Sequence, residues 1–497
     1  MKKILTATQM KECDHSTIAM GTPSSVLMQR AANAVFSAVK DKYDLGNTLV
    51  ICGSGNNGGD GLLVALALHK EGHCCDVWYV GEDHAMTEET ESRYNEALDA
   101  CITFVDEPEM SEYTLIIDAV FGTGLCFAPE GKARAAINAM NSSECPVVSV
   151  DIPSGISADT GEAPGAYVIA DTTVTMQAYK RGHTKCAGLD ASGRIICADL
   201  GIDTSFATDT DGMMPVAIDD GDLSLLPRRK RDSNKGTFGR VLVIAGSMGM
   251  CGAAYLSAAA AYRTGAGIVE IFTHESNRVI LQTLLPEAIV STYESIIHDA
   301  DKLRYSIEQA TVIVIGPGIG KDYNARVLVR ETYDLTDAPI IIDADALNVT
   351  AMEGLDFPTD VPVIVTPHPG ELSRLTGKSI KALSRDTWRS AMDYAREKDI
   401  ICVSKFARTV ITDGENVFVN MSGGPSLSKG GSGDVLTGVI AGMLASGLSP
   451  IGAASIGAYV HGRAGDITAE RSGDYSPLAR DVIDALGNVL KNARGKK

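Results

Sequence analysis

The sequence predicts an α/β protein of two domains, each built on a mostly parallel sheet covered by helices. Short β-branched apolar runs alternate with helix-length segments, the pattern of buried parallel strands and their crossover helices. The rhythm occurs twice, interrupted at residues 203–215 by "DTSFATDTDGMMP", a run of small polar residues that reads as a linker. At 497 residues the chain exceeds what one hydrophobic core supports, and 45% hydrophobic with 22% charged residues is a globular composition. The expected domains are 1–213 and 214–497.

The elements follow in order. The start, "MKKILTATQMKECDHS", is basic, but its apolar patch is too short for a signal peptide. The first rhythm comprises "TLVICGSG", "HCCDVWYVG", "TLIIDAVFGTG", "PVVSVDIPSG", "ADTTVTMQAY" and "GRIICADLGI", most of them closed by the Gly, Pro or Asp that end strands in turns. A basic cluster, "RRKRDSNKG" at 228–236, reads as a solvated surface loop. The second rhythm comprises "RVLVIAGS", "GIVEIF", "TVIVIGPGIG", "PIIIDADALN", "PVIVTPHPGEL" and "ICVSKFARTVITDG", with no repeat linking it to the first. Residues 435–460 carry no charge and are long enough to span a bilayer. They are rich in Gly, Ala and Ser, broken at Ser449 and Pro450 and bounded by Asp434 and His461, so two buried helices joined by a turn are expected.

Composition excludes several classes. With 44 basic and 63 acidic residues the net charge is −19, which argues against nucleic acid and anionic membrane as partners. Any anionic substrate must then be held by local donors. The 11 cysteines are scattered, with one adjacent pair at Cys74 and Cys75 and no CxxC, so neither a disulfide framework nor a zinc site is expected. A reducing cytoplasm is the expected location and a homo-oligomer the expected assembly.

Ligands of open parallel sheets bind at the carboxyl ends of strands. Three loops of the first domain carry polar residues there: Asn56, Asn57 and Asp60 in "GSGNNGGDG", Asp118 after "TLII", and Asp151 with Ser154 after "VVSV". A lone Asp at a strand end commonly caps a helix or forms a turn. Three such loops, joined by "FGTGL", point instead to a site whose glycine amides suit a phosphate and whose oxygens suit a cation.

These blocks, with "DAVFGTGL" and "VDIPSGISADTGE", resemble the signature of the NAD(P)H-hydrate epimerase family. The resemblance implies a Rossmann-like domain that interconverts the R and S forms of hydrated NADH or NADPH. It implies a potassium ion on Asn57, Asp118 and Ser154. It places the hydrate against Asn56, Asn57, Gly58, Gly59 and Asp60, against Gly122, Thr123, Gly124, Leu125, Cys126, Phe127 and Ala128, and against Asp151. Asp151, a carboxylate at a strand end beside the cation, is the expected proton-transfer residue.

The second domain carries the strongest motif, "GGSGDVLTGVIAGML". Gly431, Ser432 and Gly433 would present bare amides at the start of an apolar helix, with Asp434 in its first turn. An anion hole beside a carboxylate base is a phosphoryl-transfer arrangement, whereas the bland reading is an Asp facing the helix dipole. The motif resembles the GxGD element of ribokinase-like kinases. With "GSMGMCGAAYLSAAAAYRTGAG", "LPEAI", "GPGIG", "IIDADALN" and "TPHPGEL" it resembles the ADP- or ATP-dependent NAD(P)H-hydrate dehydratase family, and the two halves together resemble the bifunctional NAD(P)H-hydrate repair family.

The resemblance implies that Ala253, Gly318, His368 and Asp434 meet the hydrate. Lys405, Phe406, Ala407, Arg408, Thr409, Gly424, Gly430, Gly431, Ser432 and Gly433 would hold the nucleotide, with magnesium on its phosphates. Phe406 departs from the glycine common after this lysine. For His368, between two prolines, a capping role stands beside direct contact. The implied activity is phosphorylation of the S hydrate's hydroxyl by ADP, ahead of ATP, followed by loss of phosphate. Two other readings are a ribokinase-class small-molecule kinase with a regulatory first domain and a non-catalytic nucleotide sensor.

Overall fold

The computed structural model describes residues 1–208 and 212–493. The chain divides into two compact units, Lys2–Met214 and Pro215–Lys497 with Met1. Both are α/β, as the alternating runs predict.

The first unit contains β1 (Lys2–Leu5), β2 (Asn47–Cys52), β3 (Cys74–Tyr79), β4 (Thr103–Phe104), β5 (Leu115–Ala119), β6 (Val147–Val150), β7 (Thr172–Met176), β8 (Tyr179–Lys180) and β9 (Arg194–Ala198). Seven of these make a sheet in the order β4-β3-β2-β5-β6-β7-β9, every neighbouring pair parallel. Val50, Ile117 and Val148 pack on one face, and Leu49, Ile51, Ile116 and Val147 on the other. Successive side chains alternate faces, so burial of both faces explains why these strands read as unbroken apolar runs. The chain leaves β2 in one direction for β3 and β4 and in the other for β5, β6, β7 and β9, so the switch point lies between β2 and β5. Apart from that sheet, β1 pairs with β8, placing Leu5 opposite Lys180.

The second unit contains β10 (Val216–Ile218), β11 (Arg240–Ile244), β12 (Ile268–His274), β13 (Ile289–Tyr293), β14 (Val312–Ile315), β15 (Ile340–Ile342), β16 (Val363–Val365), β17 (Ile401–Ser404), β18 (Val410–Thr412) and β19 (Val417–Asn420). Within the unit they run β13-β12-β11-β14-β15-β16-β17-β18-β19-β10, and β17, β18 and β19 pair antiparallel. The run "ICVSKFARTVITDG" is therefore a hairpin, whose connection is residues 405–409.

The uncharged stretch forms two helices, Ser432–Ala445 and Pro450–Ser472, as expected. Ser449 caps the second by accepting from the Gly452 amide, and Pro450 occupies its start, where no amide donor is needed. None of the described helices is long and apolar enough to cross a membrane. The Ser432–Ala445 helix packs against Cys251–Thr264, and a Cβ on Gly438 would lie 2.1 Å from the Ser257 carbonyl oxygen.

Of the stretch read as a linker, residues 209–211 lie outside the described residues. The rest is not a free tether: Thr204–Phe206 forms a short turn of helix, and Ala207 is buried in the first unit's core. All 11 cysteines are free.

Candidate active sites

At the first unit's switch point, the Asn56–Lys70 helix begins immediately after Gly55. Asn56, Asn57, Gly58, Gly59 and Asp60 thus belong to the start of the helix, not to a loop, which corrects the reading of the sequence. A Cβ on Gly58 would fall 1.9 Å from the Gly53 carbonyl oxygen, so this glycine lets the helix seat on the end of β2.

The three residues assigned to a cation form one connected group. Asn57 Nδ2 donates to the Phe121 carbonyl at 3.1 Å, and Ser154 Oγ accepts from the Phe121 amide at 2.8 Å. Ser154 donates to Asp118 Oδ1 through its hydroxyl at 2.5 Å and to Oδ2 through its amide at 2.9 Å, while Ser149 Oγ donates to Oδ2 at 2.7 Å. Burial pushes the fully enclosed Asp118 carboxyl up, and these donors draw it part of the way back. One carboxylate, an amide oxygen, a hydroxyl and the Phe121 carbonyl form an all-oxygen set with a single negative charge. That chemistry suits a hard monovalent cation.

Gly122 lies against Asn57, a Cβ there falling 3.3 Å from the Asn57 Cβ. The rest of the predicted loop, Thr123 to Ala128, runs along the surface with Gly124, Cys126 and Phe127 exposed. It is tied back where the Phe127 ring meets Phe121 edge-on, 6.0 Å between centroids.

Asp151 follows β6 with φ +66°, a conformation costly for a residue with a side chain and characteristic of sites held by their surroundings. Its Oδ1 accepts from Thr175 Oγ1 at 3.1 Å, from the Met176 amide at 2.9 Å and from Lys180 Nζ. Lys180 is fully buried and also donates to Thr175 Oγ1 at 2.9 Å and the Met176 carbonyl at 3.0 Å. A buried ammonium is costly without a counter-ion, and Asp151 is that counter-ion.

Asp14 and Asp60 share this field. Burial pushes Asp14 up to about 6, with Lys180 lowering and Asp151 raising it. Burial, reinforced by Asp151 and Asp14, holds Asp60 well above the carboxylate range. Lys180 and Asp14 were missed in the sequence because they stand in "AYKRG" and "KECDHS", where no spacing marks them; the β1–β8 register brings them near.

In the second unit Asp434 sits in the first turn of Ser432–Ala445, behind Gly431 at φ +90°. Lys405 Nζ lies 2.8 Å from Asp343 Oδ1 and 3.4 Å from where a Gly433 Cβ would be. Thr437 Oγ1 donates to Asp343 Oδ2 at 2.8 Å. One buried carboxylate thereby ties the end of β15 to the Lys405 loop and the Asp434 helix. Burial pushes Asp434 up to about 7, with Asp343 adding to and Lys405 opposing the shift. Burial alone would raise Asp343, but Lys405 and its hydroxyl donors hold it below its ordinary range.

The other predicted residues converge from several loops. Gly318 touches Ala253, a Cβ on the glycine falling 3.0 Å from the Ala253 Cβ. Two residues on, the Gly320 amide donates to Asp345 Oδ2 at 3.0 Å, and Asp345 contributes to the field at Asp434. His368 caps the Pro369–Thr376 helix, Nδ1 accepting from the Gly370 amide at 3.0 Å while Glu371 accepts from the His368 amide at 2.8 Å. The capping reading of His368 therefore holds, and its ring remains half exposed.

Lys405 donates through its amide to the Pro367 carbonyl at 2.9 Å, joining the His368 loop to the hairpin connection. Within that connection Arg408 donates to the Met421 carbonyl at 2.7 Å and Thr409 accepts from the Asn420 amide at 2.9 Å, which aligns it with the segment leading to Gly424. Phe406 has no positive φ, so the backbone here does not require glycine. Ala407, Gly424 and Gly430 are exposed. Asp343, Glu371 and His461 are additions: burial pushes Glu371 up to about 7, and burial pushes His461, 3.4 Å from Ser432 Oγ, down to about 4.

A model of the family described as NAD(P)H-hydrate dehydratase matches residues 241–488, and one described as YjeF-related protein N-terminus matches residues 24–182. The bifunctional NAD(P)H-hydrate repair enzyme Nnr of Moorella thermoacetica is 34% identical over 513 residues, covering 98% of this chain and 97% of the relative. The enzyme of that name from Escherichia coli is 34% identical, covering 93% and 89%. The crystal structure of the ADP/ATP-dependent NAD(P)H-hydrate dehydratase of Bacillus subtilis, co-crystallised with ATP and Mg2+, has a TM-score of 0.50 and 31% identity, covering 56% of this chain and 98% of that one. A ribokinase-like superfamily protein of Enterococcus faecalis has a TM-score of 0.53 and 29% identity over 57% of this chain and 98% of its own.

Proposed function

Because the chain belongs to the bifunctional NAD(P)H-hydrate repair family, we propose that it returns hydrated NADH and NADPH to the reduced coenzymes with two sites. The first, at the β2–β5 switch point, interconverts the R and S hydrates. The second dehydrates the S hydrate at the expense of ADP or ATP, with ADP the proposed preference.

One observation carries the second assignment: Asp434, pushed up to about 7, stands in the helix turn that opens with Gly431, Ser432 and Gly433, facing the Lys405 ammonium. A hydroxide is a poor leaving group and a phosphate a good one, so phosphorylation turns the hydrate's hydroxyl into a departing group. Asp434 takes the hydroxyl proton, the amides of Gly431 to Gly433 and the Lys405 ammonium face the charge developing on the transferring group, and the ring nitrogen's electron pair then expels phosphate while the neighbouring ring carbon gives up a proton, which restores the C=C bond of the reduced ring. Magnesium on the nucleotide phosphates would neutralise charge there; co-crystallisation of the B. subtilis dehydratase with ATP and Mg2+ supports this reading.

In the first site Asn57, Asp118 and Ser154, with the Phe121 carbonyl, would hold potassium, which when bound supplies a fixed positive charge beside the substrate. Asp151 moves the proton. The free thiols support a cytoplasmic setting. The proposed homo-oligomer is checked by light scattering.

The test is incubation with S-hydrated NADH, Mg2+ and either nucleotide, following the reduced-nicotinamide absorbance. Recovery that needs the nucleotide and releases phosphate is expected. A stable phosphorylated product without recovery would favour the kinase reading.

A further inference from the structure

The two segments assigned to the nucleotide, 405–409 and 424–433, meet at residues 420–423, where the Asn420 amide donates to the Thr409 carbonyl and Arg408 Nη1 to the Met421 carbonyl. Side chains tie this junction to the helix Pro450–Ser472. Asn420, buried, donates through Nδ2 to the Ala458 carbonyl at 3.0 Å, and its Oδ1 accepts from the Ser422 amide at 3.0 Å. Ser422 Oγ donates to the Tyr459 carbonyl at 3.0 Å. The Gly423 amide donates to Asp466 Oδ1 at 3.0 Å, while Asp466 Oδ2 accepts from Arg463 Nη1 at 2.9 Å. Further along, Ser426 Oγ donates to the Gly465 carbonyl at 3.3 Å.

Shape agrees with this polarity. Residues 458, 462, 465 and 466 are three or four apart and so share one face of the helix. A Cβ on Gly462 would lie 2.1 Å from Ser422 Oγ, and one on Gly465 would lie 2.7 Å from the Leu427 side chain, so the helix leaves its side chains out where the loop lies. The helix itself is fixed, with Ala453, Ile456 and Val460 in the second unit's core. Gly423 has φ +88°, a conformation that glycine enters and leaves freely unless something selects it. The Asp466 carboxylate makes that selection through a charge-assisted bond to the Gly423 amide, and it thereby sets the direction in which the chain leaves for Gly424.

We propose that Asp466 is a positioning residue of the dehydratase site, holding residues 422–427 on the helix as a preformed nucleotide cradle. ADP or ATP then docks into an ordered loop and does not have to order it. The proposal rests on the nucleotide reading of these segments. A site that is competent only part of the time binds more weakly by that fraction, whereas the complex, once saturated, reacts as before. Loss of the carboxylate therefore weakens nucleotide binding without slowing the bound enzyme. A merely structural role would instead reduce the amount of folded enzyme, lowering kcat and leaving KM in place.

The experiment uses the full chain with ADP and Mg2+, combining calorimetry, S-hydrate dehydration at varied ADP, and amide hydrogen exchange read by mass spectrometry. In the unaltered chain, exchange across residues 420–423 should be slow before nucleotide is added and should change little afterwards. Asp466→Ala should speed that exchange, raise both Kd and KM for ADP about tenfold or more, and leave kcat at saturating ADP unchanged. Asp466→Asn keeps an oxygen for the Gly423 amide and should bind ADP more tightly than Asp466→Ala. An unchanged KM in Asp466→Ala, or a fall in kcat alone, overturns the proposal. An Asp466→Asn variant as weak as Asp466→Ala removes the role given to the Gly423 amide. Should Asp466→Ala fail to fold, exchange in the unaltered chain decides: a loop that exchanges freely until ADP is added is a closing lid, and the preformed cradle is refuted. If the unaltered chain binds neither ADP nor ATP, the nucleotide reading itself falls.

Discussion

A carboxylate in the first turn of a helix is ordinarily stabilised as the anion by the helix dipole, yet Asp434 is pushed up to about 7. Burial and the neighbouring Asp343 outweigh the dipole and Lys405, which is the condition for a base that recovers its proton near neutrality. Dehydration should rise with pH through about 7 as Asp434 ionises. Asp343→Asn removes one of the raising charges and should move that limb to lower pH, whereas Lys405→Ala removes the lowering charge and should move it higher; rate profiles of S-hydrate dehydration check both. Asp434→Asn should lower the rate about a hundred- to ten-thousandfold with nucleotide binding retained, as calorimetry would show.

At the first site, Asp118→Ala removes the only carboxylate of the proposed potassium set. Potassium stimulation of epimerisation should vanish with it, and S-hydrate dehydration should be unchanged. Asp118, Asp151 and Asp434 were legible in the sequence because glycine-rich turns flag strand ends and helix starts. Lys180, Asp14 and Asp343 were not, because a residue that acts through a strand register or a buried ion pair carries no local mark.

Between elements, close approach sets the sequence. The Ser432–Ala445 helix lies on Cys251–Thr264 with Gly438 at the contact, 2.1 Å from a carbonyl oxygen for any added Cβ. Gly438→Val should cost about 2 kcal/mol or more of stability, since overpacking a filled contact cannot be relieved without moving backbone. Denaturant unfolding measures it, and a variant as stable as the parent would contradict this packing. Periodicity made the long parallel strands and the two uncharged helices legible. It missed β1, β4, β8, β10, β13 and β19, runs of two to five residues that are too short to show a period, and the turn inside "ICVSKFARTVITDG", where Phe406 occupies a connection without Gly or Pro.

At the scale of the molecule, each unit has its own core: Val50, Ile117 and Leu62 belong to one cluster, Val243, Ile341 and Val439 to another. Fragments 1–214 and 215–497 should each be soluble, the first inverting hydrates and the second dehydrating the S form. Because Ala207 is buried, a cut before it should leave the first fragment less stable than a cut after Met214.

The central claim is that two sites in one chain act in series on two epimers. It is tested most directly by supplying pure R hydrate with ADP and Mg2+, over a time in which uncatalysed interconversion is small, and following the reduced-nicotinamide absorbance. The unaltered chain should restore the whole absorbance. Asp151→Asn should restore almost none from R hydrate while restoring all of it from S hydrate. Equal recovery from R hydrate by Asp151→Asn and the unaltered chain, or recovery by either without a nucleotide, would contradict the account.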